Sequence, residues 1–150
     1  MEIQKELIPQ RTYNTIISNI PIVCVDVVID WNDSVLLVKR KLEPCKNMWF
    51  IPGGRLLKGE LLEQAAIRKA KEETGIDCTI SRLINVESTM FEVGANGKNI
   101  HTVNICYRVY PVHSKFEVKL DKTSESYKWI KTIDNDLHPY VRHCLKKSGL

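Results

Sequence analysis

Apolar and polar positions in the first forty residues follow a helical period and then a strand period. Residues 9–19 place Tyr13, Ile16 and Ile17 three and four apart after a proline, which predicts a short amphipathic helix whose apolar side covers a sheet. The runs PIVCVDVVID and SVLLVKR, separated by the turn signal WND, predict a β-hairpin over residues 21–40. Asp26 interrupts the first apolar run.

The middle of the chain contains the most regular helical pattern. From Glu60 to Thr74 the apolar positions form one narrow stripe, which consists of Leu62, Ala65, Ala66 and Ala70. Gly75 follows and suits the left-handed conformation that often ends a helix. Residues 41–49 are polar, and the FIPGGR that follows contains Pro52 and two glycines. This composition predicts a loop without regular structure, whose backbone can approach a ligand closely.

The last third predicts further strands and a helix. Residues 78–92 and 99–112 are strand-like runs on either side of GANG, and YKWIKT predicts one more short strand. Residues 134–147 predict a helix in which Pro139 would introduce a kink. The chain has no internal repeat or linker. The order of elements predicts a single domain over residues 1–150, an α+β or α/β sandwich around a mixed sheet.

Composition and charge narrow the classes of protein. The 150 residues are 43% hydrophobic and 27% charged, without an apolar run long enough for a membrane span or an opening typical of a signal peptide. Five scattered cysteines without a C-x-x-C pair argue against a disulfide framework and for a reducing cytoplasm. The net charge of +4 favours an anionic ligand such as a phosphate ester, but it is too modest and dispersed to predict nucleic-acid binding.

The segment RKAKEETGI places Glu72 and Glu73 at the negative end of the helix dipole. One interpretation is that Arg68–Glu72 and Lys69–Glu73 form solvated i,i+4 pairs that cancel the cost. The other is that the two carboxylates hold a hard divalent cation such as Mg²⁺. The glycine-containing loop before the helix favours the second interpretation, since loop and helix together could enclose a metal-diphosphate pocket.

The same residues resemble the Nudix box, G-x5-E-x7-R-E-U-x-E-E-x-G-U. The matching positions are Gly54, Glu60, Arg68, Glu72, Glu73, Gly75 and Ile76. The resemblance implies a Nudix α/β/α sandwich with a mixed central sheet and a loop-helix-loop catalytic motif. It also implies Mg²⁺, with Mn²⁺ as a substitute, held by the carbonyl of Gly53 and by Glu72 and Glu73. Arg68 and Glu60 would support these ligands.

One position departs from the box, because Lys69 stands where the family has its first glutamate after the arginine. A lysine cannot bind an extra metal ion or activate water there, and its charge disfavours several divalent ions. We therefore predict fewer metal ions than usual, and a single one as the simplest case.

The chain resembles the GDP-mannose mannosyl hydrolase branch of the family from Tyr13 to Trp129, through TIISNIPIVCVD, LLVKR, MWFIPGGR and YKW. That branch lacks the same acid and cleaves at the sugar carbon. The resemblance implies that Arg40 and Arg55 contact the diphosphate and that Asp26 lies on the sugar side. Alternatives from the residues themselves are a surface charge for Arg40 and a purely structural hydrogen-bond partner for Asp26.

The catalytic base is the second departure. The branch carries Gln and His at the positions of Thr123 and Ser124, and neither of these residues can replace a histidine base. Glu125 is the best local substitute, because a loop carboxylate near a metal and a diphosphate could accept a proton from water. His101 and His113 are further candidates. Trp49 and Phe50 could stack on a nucleobase or simply pack in the core.

The sequence thus predicts a Mg²⁺-dependent Nudix hydrolase of a small nucleoside diphosphate derivative, with Glu125, Arg40 and Glu73 as catalytic residues. The leading substrate is a nucleotide sugar such as GDP-mannose. Two alternatives are ordinary pyrophosphohydrolysis, for instance of ADP-ribose, and a Nudix-fold binding module without turnover. A homodimer is expected, without a nucleic-acid or membrane partner.

Overall fold

The computed structural model describes residues 1–150 as three helices and seven strands. In chain order these are α1 (Gln10–Asn19), β1 (Ile22–Trp31), β2 (Ser34–Arg40), β3 (Trp49–Phe50), β4 (Gly53–Arg55), α2 (Leu62–Thr74), β5 (Cys78–Phe91), β6 (Ile100–Pro111), β7 (Ser124–Ile130) and α3 (Pro139–Ser148). No helix is both long enough and apolar enough to cross a bilayer. All five cysteines are free.

The strands form one mixed sheet in the order β3-β2-β1-β6-β5. Strand β1 runs parallel to β6 along Ile22–Ile29, whereas β5 and β6 are antiparallel. Strands β1 and β2 pair only at the hairpin tip, through Asp30 with Val35 and Trp31 with Ser34. Beyond the tip, β4 pairs with β1, while β3 and β7 pair with β2. The two hairpin strands therefore diverge toward the end of the sheet that carries Asp26 and Arg40.

The alternation of side chains along β1 builds two core layers. Val25, Val27 and Ile29 are fully buried on the side of α2, where they meet the helix residues Ala65, Ala66 and Ala70. Val28 belongs to the opposite layer, which is completed by α3 through Tyr140, Val141, Cys144 and Leu145. With α2 on one face of the sheet and α3 on the other, the structure confirms the predicted α/β/α sandwich with a mixed sheet.

Most predicted elements are confirmed. Helix α1 covers the sheet through Ile17, which is buried with Ile22 and Ile100. The turn of the first hairpin uses Asn32 and Asp33, whose φ values of 49° and 58° are those of a two-residue type I′ turn. Helix α2 ends at Gly75 in the left-handed conformation, with φ of 73°.

Two predictions about local structure are wrong. The segment FIPGGR was expected to lack regular structure, yet Trp49–Phe50 and Gly53–Arg55 are short strands, because low strand propensity is outweighed by pairing with β2 and β1. Pro139 does not kink a helix. It occupies the first position of α3, where its missing N–H costs no hydrogen bond.

Candidate active site

A cleft opens where β1 and β2 diverge, between α1, β4 and the loop that follows β2. Its 18 lining residues include Asp26, Arg40, Arg55, Gly53 and Gly54, and half of them are hydrophobic. The cleft has an empty volume of about 830 Å³, which includes solvent at its mouth. The structure thus brings together every predicted substrate-binding residue and one predicted metal ligand.

The two glycines of β4 allow two close approaches. Gly53 lies directly opposite Asp26 in the β1–β4 pairing, and a β-carbon on Gly53 would overlap Oδ1 of Asp26. Gly54 faces α2, where a β-carbon would stand 2.9 Å from Cε of Lys69. The two glycines therefore let the carboxylate of Asp26 and the ammonium of Lys69 approach the backbone of β4.

Arg68 connects Glu60, just before α2 (the box helix), with Glu72 near the end of that helix. Its Nε donates to Oε1 of Glu60 at 2.6 Å, and one terminal nitrogen donates to Oε2 of Glu60 at 3.0 Å. The other terminal nitrogen reaches Glu72 at 3.1 Å, and a further bond goes to the carbonyl of Arg55. Only 2% of the Glu60 side chain is exposed. This geometry agrees with a supporting role for Arg68 and Glu60.

Lys69 lies between the two carboxylates that the resemblance assigns to the metal. Its Nζ is 3.0 Å from Oε1 of Glu73 and 3.3 Å from Oε2 of Glu72. The other oxygen of Glu73 accepts a hydrogen bond from the backbone N–H of Gly53 at 3.3 Å. Glu73 is buried, so the interpretation of this pair as a solvated surface contact is wrong.

Burial and charge act together on these groups. Burial raises the pKa of Glu73, and the ammonium of Lys69 and the N–H of Gly53 offset this only in part. Burial alone would lower the pKa of Lys69, but Glu73 and Glu72 hold it above its ordinary value. Lys69 is therefore a cation at neutral pH.

Asp121 is a residue near Glu73 that sequence reasoning missed. The backbone N–H of Lys119 donates to the carbonyl of Thr74 at 2.8 Å, which brings this segment to the end of α2, and the charge of Asp121 contributes to the raised pKa of Glu73. Its Oδ1 accepts hydrogen bonds from the backbone N–H and the hydroxyl of Thr123. Asp and Thr two residues apart suit a local turn, and this weak pattern before β7 was the only signal of its position.

Asp26 is a buried carboxylate with partners on one oxygen. Oδ2 accepts hydrogen bonds from Nδ2 of Asn104 at 2.8 Å and from the hydroxyl of Tyr140 at 2.7 Å. Burial raises the pKa of Asp26, and these two hydrogen bonds oppose that shift. The structural partners considered from sequence are thus present on Oδ2, whereas Oδ1 accepts no side-chain hydrogen bond and lies against Gly53, a residue of the cleft lining. The participation of Tyr140 was not predicted.

The two predicted phosphate-contacting arginines reach the cleft from different elements. Arg40, at the end of β2, donates from Nε to the carbonyl of Pro44 at 2.6 Å and lies over the ring of Phe50. Arg55, at the end of β4, lies over the ring of Tyr13, with 5.3 Å from Cζ to the ring centroid. Both side chains are half-buried, so the interpretation of Arg40 as a plain surface charge is wrong.

Of the other sequence candidates, only Phe50 lines this cleft. Glu125 is on β7, with 44% of its side chain exposed, and pairs with Lys39 at 3.2 Å. His101 and His113 line two separate surface depressions. Trp49 contacts Lys128 and packs against the core on the α3 side, whereas Phe50 lines the cleft.

The donor set of the box fits a hard divalent cation. Mg²⁺ and Mn²⁺ accept carboxylate oxygens such as those of Glu72 and Glu73, which lie near Gly53 at the start of β4. The ammonium of Lys69 already binds both carboxylates as a monovalent cation. No three acidic, histidine or cysteine side chains converge as a metal-binding group. The residues therefore fit a hard divalent cation, and a single ion stays a prediction.

Comparisons with known proteins agree with this geometry. The NUDIX domain model matches residues 21–146. The low-salt glycan biosynthesis protein Agl8 of Haloferax volcanii is 32% identical over 92% of this chain and 88% of its own. An ADP-ribose pyrophosphatase of Methanocaldococcus jannaschii is 41% identical over 46% of this chain and 41% of its own. The crystal structure of a MutT NUDIX hydrolase from Burkholderia pseudomallei superimposes with a TM-score of 0.69, at 26% identity over 86% of this chain and 98% of that one.

The chain belongs to the NUDIX family. Membership supports hydrolase activity on nucleoside diphosphate derivatives, and enzymes of this family generally use divalent metal ions. The predicted family and its coarse chemistry are therefore confirmed.

Proposed function

We propose that this Nudix hydrolase cleaves a nucleoside diphosphate sugar of the GDP-mannose type at the sugar carbon, with Mg²⁺ as its metal and Mn²⁺ as a substitute. The observation that carries the proposal is the convergence of Arg40, Arg55 and Asp26 on one cleft beside Gly53. Two arginines suit a diphosphate, and a buried carboxylate with one free oxygen suits a sugar hydroxyl.

Each charged group has a distinct task in this proposal. Arg40 and Arg55 bind the diphosphate and stabilise the charge that grows on it as the bond to the sugar breaks. Asp26 accepts a hydrogen bond from a sugar hydroxyl, while Tyr140 and Asn104 hold its other oxygen. The carbonyl of Gly53 and the carboxylates of Glu72 and Glu73 would hold the metal. When bound, Mg²⁺ supplies further neutralisation of the diphosphate oxygens.

A carboxylate near β7 accepts the proton of the attacking water. The sequence favours Glu125, and Asp121, in the segment that packs on the end of α2, is a second candidate. Glu125 is paired with Lys39 and must leave that ion pair to act. Asp121 has no ionic partner among the salt bridges of the protein, only the bonds from Thr123.

The Haloferax volcanii relative is a glycan biosynthesis protein, which is compatible with a nucleotide-sugar substrate for this chain. The Methanocaldococcus jannaschii relative, an ADP-ribose pyrophosphatase, favours a second candidate function, attack at phosphorus. Its match covers less than half of either chain, whereas the first relative is similar along nearly all of this one. We therefore place nucleotide-sugar cleavage at carbon first.

The test is hydrolysis of a panel of nucleotide sugars, ADP-ribose and nucleoside triphosphates in ¹⁸O-labelled water with Mg²⁺ or Mn²⁺. Attack at carbon places the label in the free sugar and releases an unlabelled nucleoside diphosphate. Label found only in phosphate would reject the proposed mechanism in favour of pyrophosphohydrolysis. Tight ligand binding without hydrolysis under every metal condition would instead indicate that the protein is a Nudix-fold binding module without turnover.

The expected homodimer stays a prediction. Light scattering coupled to size-exclusion chromatography measures it directly, and a mass of one chain, 17.3 kDa, would contradict it.

A further inference from the structure

The ammonium of Lys69 is enclosed by the box itself. The ammonium contacts both Glu72 and Glu73. The aliphatic part of the Lys69 side chain lies against Gly54, so closely that a β-carbon on Gly54 would be 2.9 Å from Cε of Lys69. Only 14% of the side chain is exposed. Lys69 is therefore a fixed part of the cluster.

A neighbouring lysine on the same helix gives the contrast. Lys71 pairs with Asp77 at 3.0 Å, and both side chains are about half exposed, at 54% and 52%. Such a pair contributes little to stability, because water screens it. Lys69 instead compensates Glu73, whose side chain is only 6% exposed and would otherwise be a buried charge without a cationic partner.

We infer that Lys69 is an internal cation at the metal position of the box, so that a divalent ion binds to Glu72 and Glu73 only by displacing its ammonium. The inference deepens the proposed function and rests on its metal site. An ammonium and a divalent ion in contact with the same two carboxylates would repel each other strongly in this partly buried setting. The flexible four-carbon stem of lysine allows the ammonium to leave while its Cα stays in the helix.

Direct metal titration tests the exchange without any substrate. Free Mn²⁺ is followed by electron paramagnetic resonance in the full-length protein, its Lys69→Met variant and the matched control Lys71→Met. Methionine keeps the apolar stem beside Gly54 and removes the charge. We expect Lys69→Met to bind Mn²⁺ at least tenfold more tightly than the unmodified protein, and Lys71→Met to stay within twofold of it. Equal or weaker binding by Lys69→Met would overturn the inference.

Thermal unfolding gives a second readout. With a chelator present, Lys69→Met should melt at a lower temperature than the unmodified protein, because Glu72 and Glu73 then repel each other without a cation. Millimolar Mg²⁺ should raise the melting temperature of Lys69→Met more than that of either other protein. An equal rise in all three proteins would count against displacement.

A measurement on the unmodified protein keeps the inference testable if Lys69→Met does not fold. Acetylation of individual lysines is timed by mass spectrometry with and without Mn²⁺. Displacement predicts faster acetylation of Lys69 on metal addition, with Lys71 unchanged, whereas an unchanged or slower rate at Lys69 would refute it.

These readouts separate the inference from the proposed function. Metal exchange without hydrolysis of any nucleotide sugar would reject the function and keep the inference. Hydrolysis at the sugar carbon, with Mn²⁺ affinity unaffected by Lys69→Met, would support the proposed function and reject the inference about Lys69.

Discussion

Gly53 and Asp26 face each other across the β1–β4 pairing so closely that no β-carbon fits between them. We predict that Gly53→Ala destabilises the protein by about 1–3 kcal/mol, the usual cost of overpacking, and displaces the carboxylate of Asp26. Chemical unfolding and hydrolysis rates measure the two effects. The control is Gly54→Ala, whose β-carbon would meet the flexible end of Lys69. Equal stability losses in both variants would contradict the assigned contact.

The hydroxyl of Tyr140 anchors Asp26 from the opposite helix. Removing it in Tyr140→Phe leaves a buried carboxylate oxygen with only Asn104, which should cost about 1.5–3 kcal/mol of stability. It should also raise the pKa of Asp26 further, since the lost bond lowers it. Urea unfolding of Tyr140→Phe beside the exposed control Tyr127→Phe measures the cost, and equal stability of the two variants would refute it.

Glu60 makes stability depend on pH through Arg68. Burial would raise the pKa of Glu60, but the hydrogen bonds from Arg68 and from the N–H of Leu57 lower it below 4.5. The stabilisation is therefore full above the unfolded pKa and is lost as pH falls through the folded one. Glu60→Gln should cost about 1.5–3 kcal/mol at pH 7, and the difference should shrink below pH 4.5. The exposed control Glu63→Gln should show no such difference at either pH.

The two arginines of the cleft should differ from surface arginines in their effect on KM. Arg40→Lys and Arg55→Lys keep a charge but lose the fork that binds two phosphate oxygens. At about 1.5–3 kcal/mol for a hydrogen bond to a charged group, we expect KM to rise by roughly 10- to 100-fold. Steady-state kinetics with the best nucleotide sugar measures this. Arg11→Lys, on the exposed side of α1, is the control; an unchanged KM in both cleft variants would argue against diphosphate binding there.

Asp121 and Glu125 compete for the role of base. Replacing the true base with its amide should lower kcat by roughly 10²- to 10⁴-fold, with unfolding stability nearly unchanged. Parallel kinetics on Asp121→Asn and Glu125→Gln separate the two. Because Asp121 lies near Glu73 and Glu125 pairs with Lys39, we expect the larger loss in Asp121→Asn. Full activity in both variants would exclude a carboxylate base near β7.

Local patterns predicted much of the fold and part of the site. The period of α2 placed Arg68 over Glu72 and Lys69 over Glu73, and both pairs are present, since spacing along a helix is a local property. The short strands β3 and β4 were missed because their pairing partners lie elsewhere in the chain. Tyr140 was missed for the same reason: it bonds Asp26 across 114 residues of sequence.

By itself, the sequence determined the family, the box helix and the identity of the charged groups, because these depend on residue type and on spacing within one element. Only the tertiary structure decided that Glu73 is buried, that the side chain of Lys69 is enclosed against Gly54, and that Asp26, Arg40 and Arg55 share one cleft. Burial and convergence depend on which distant segments pack together, as β4 does against β1 and α2. No local pattern encodes the dielectric surroundings that this packing creates.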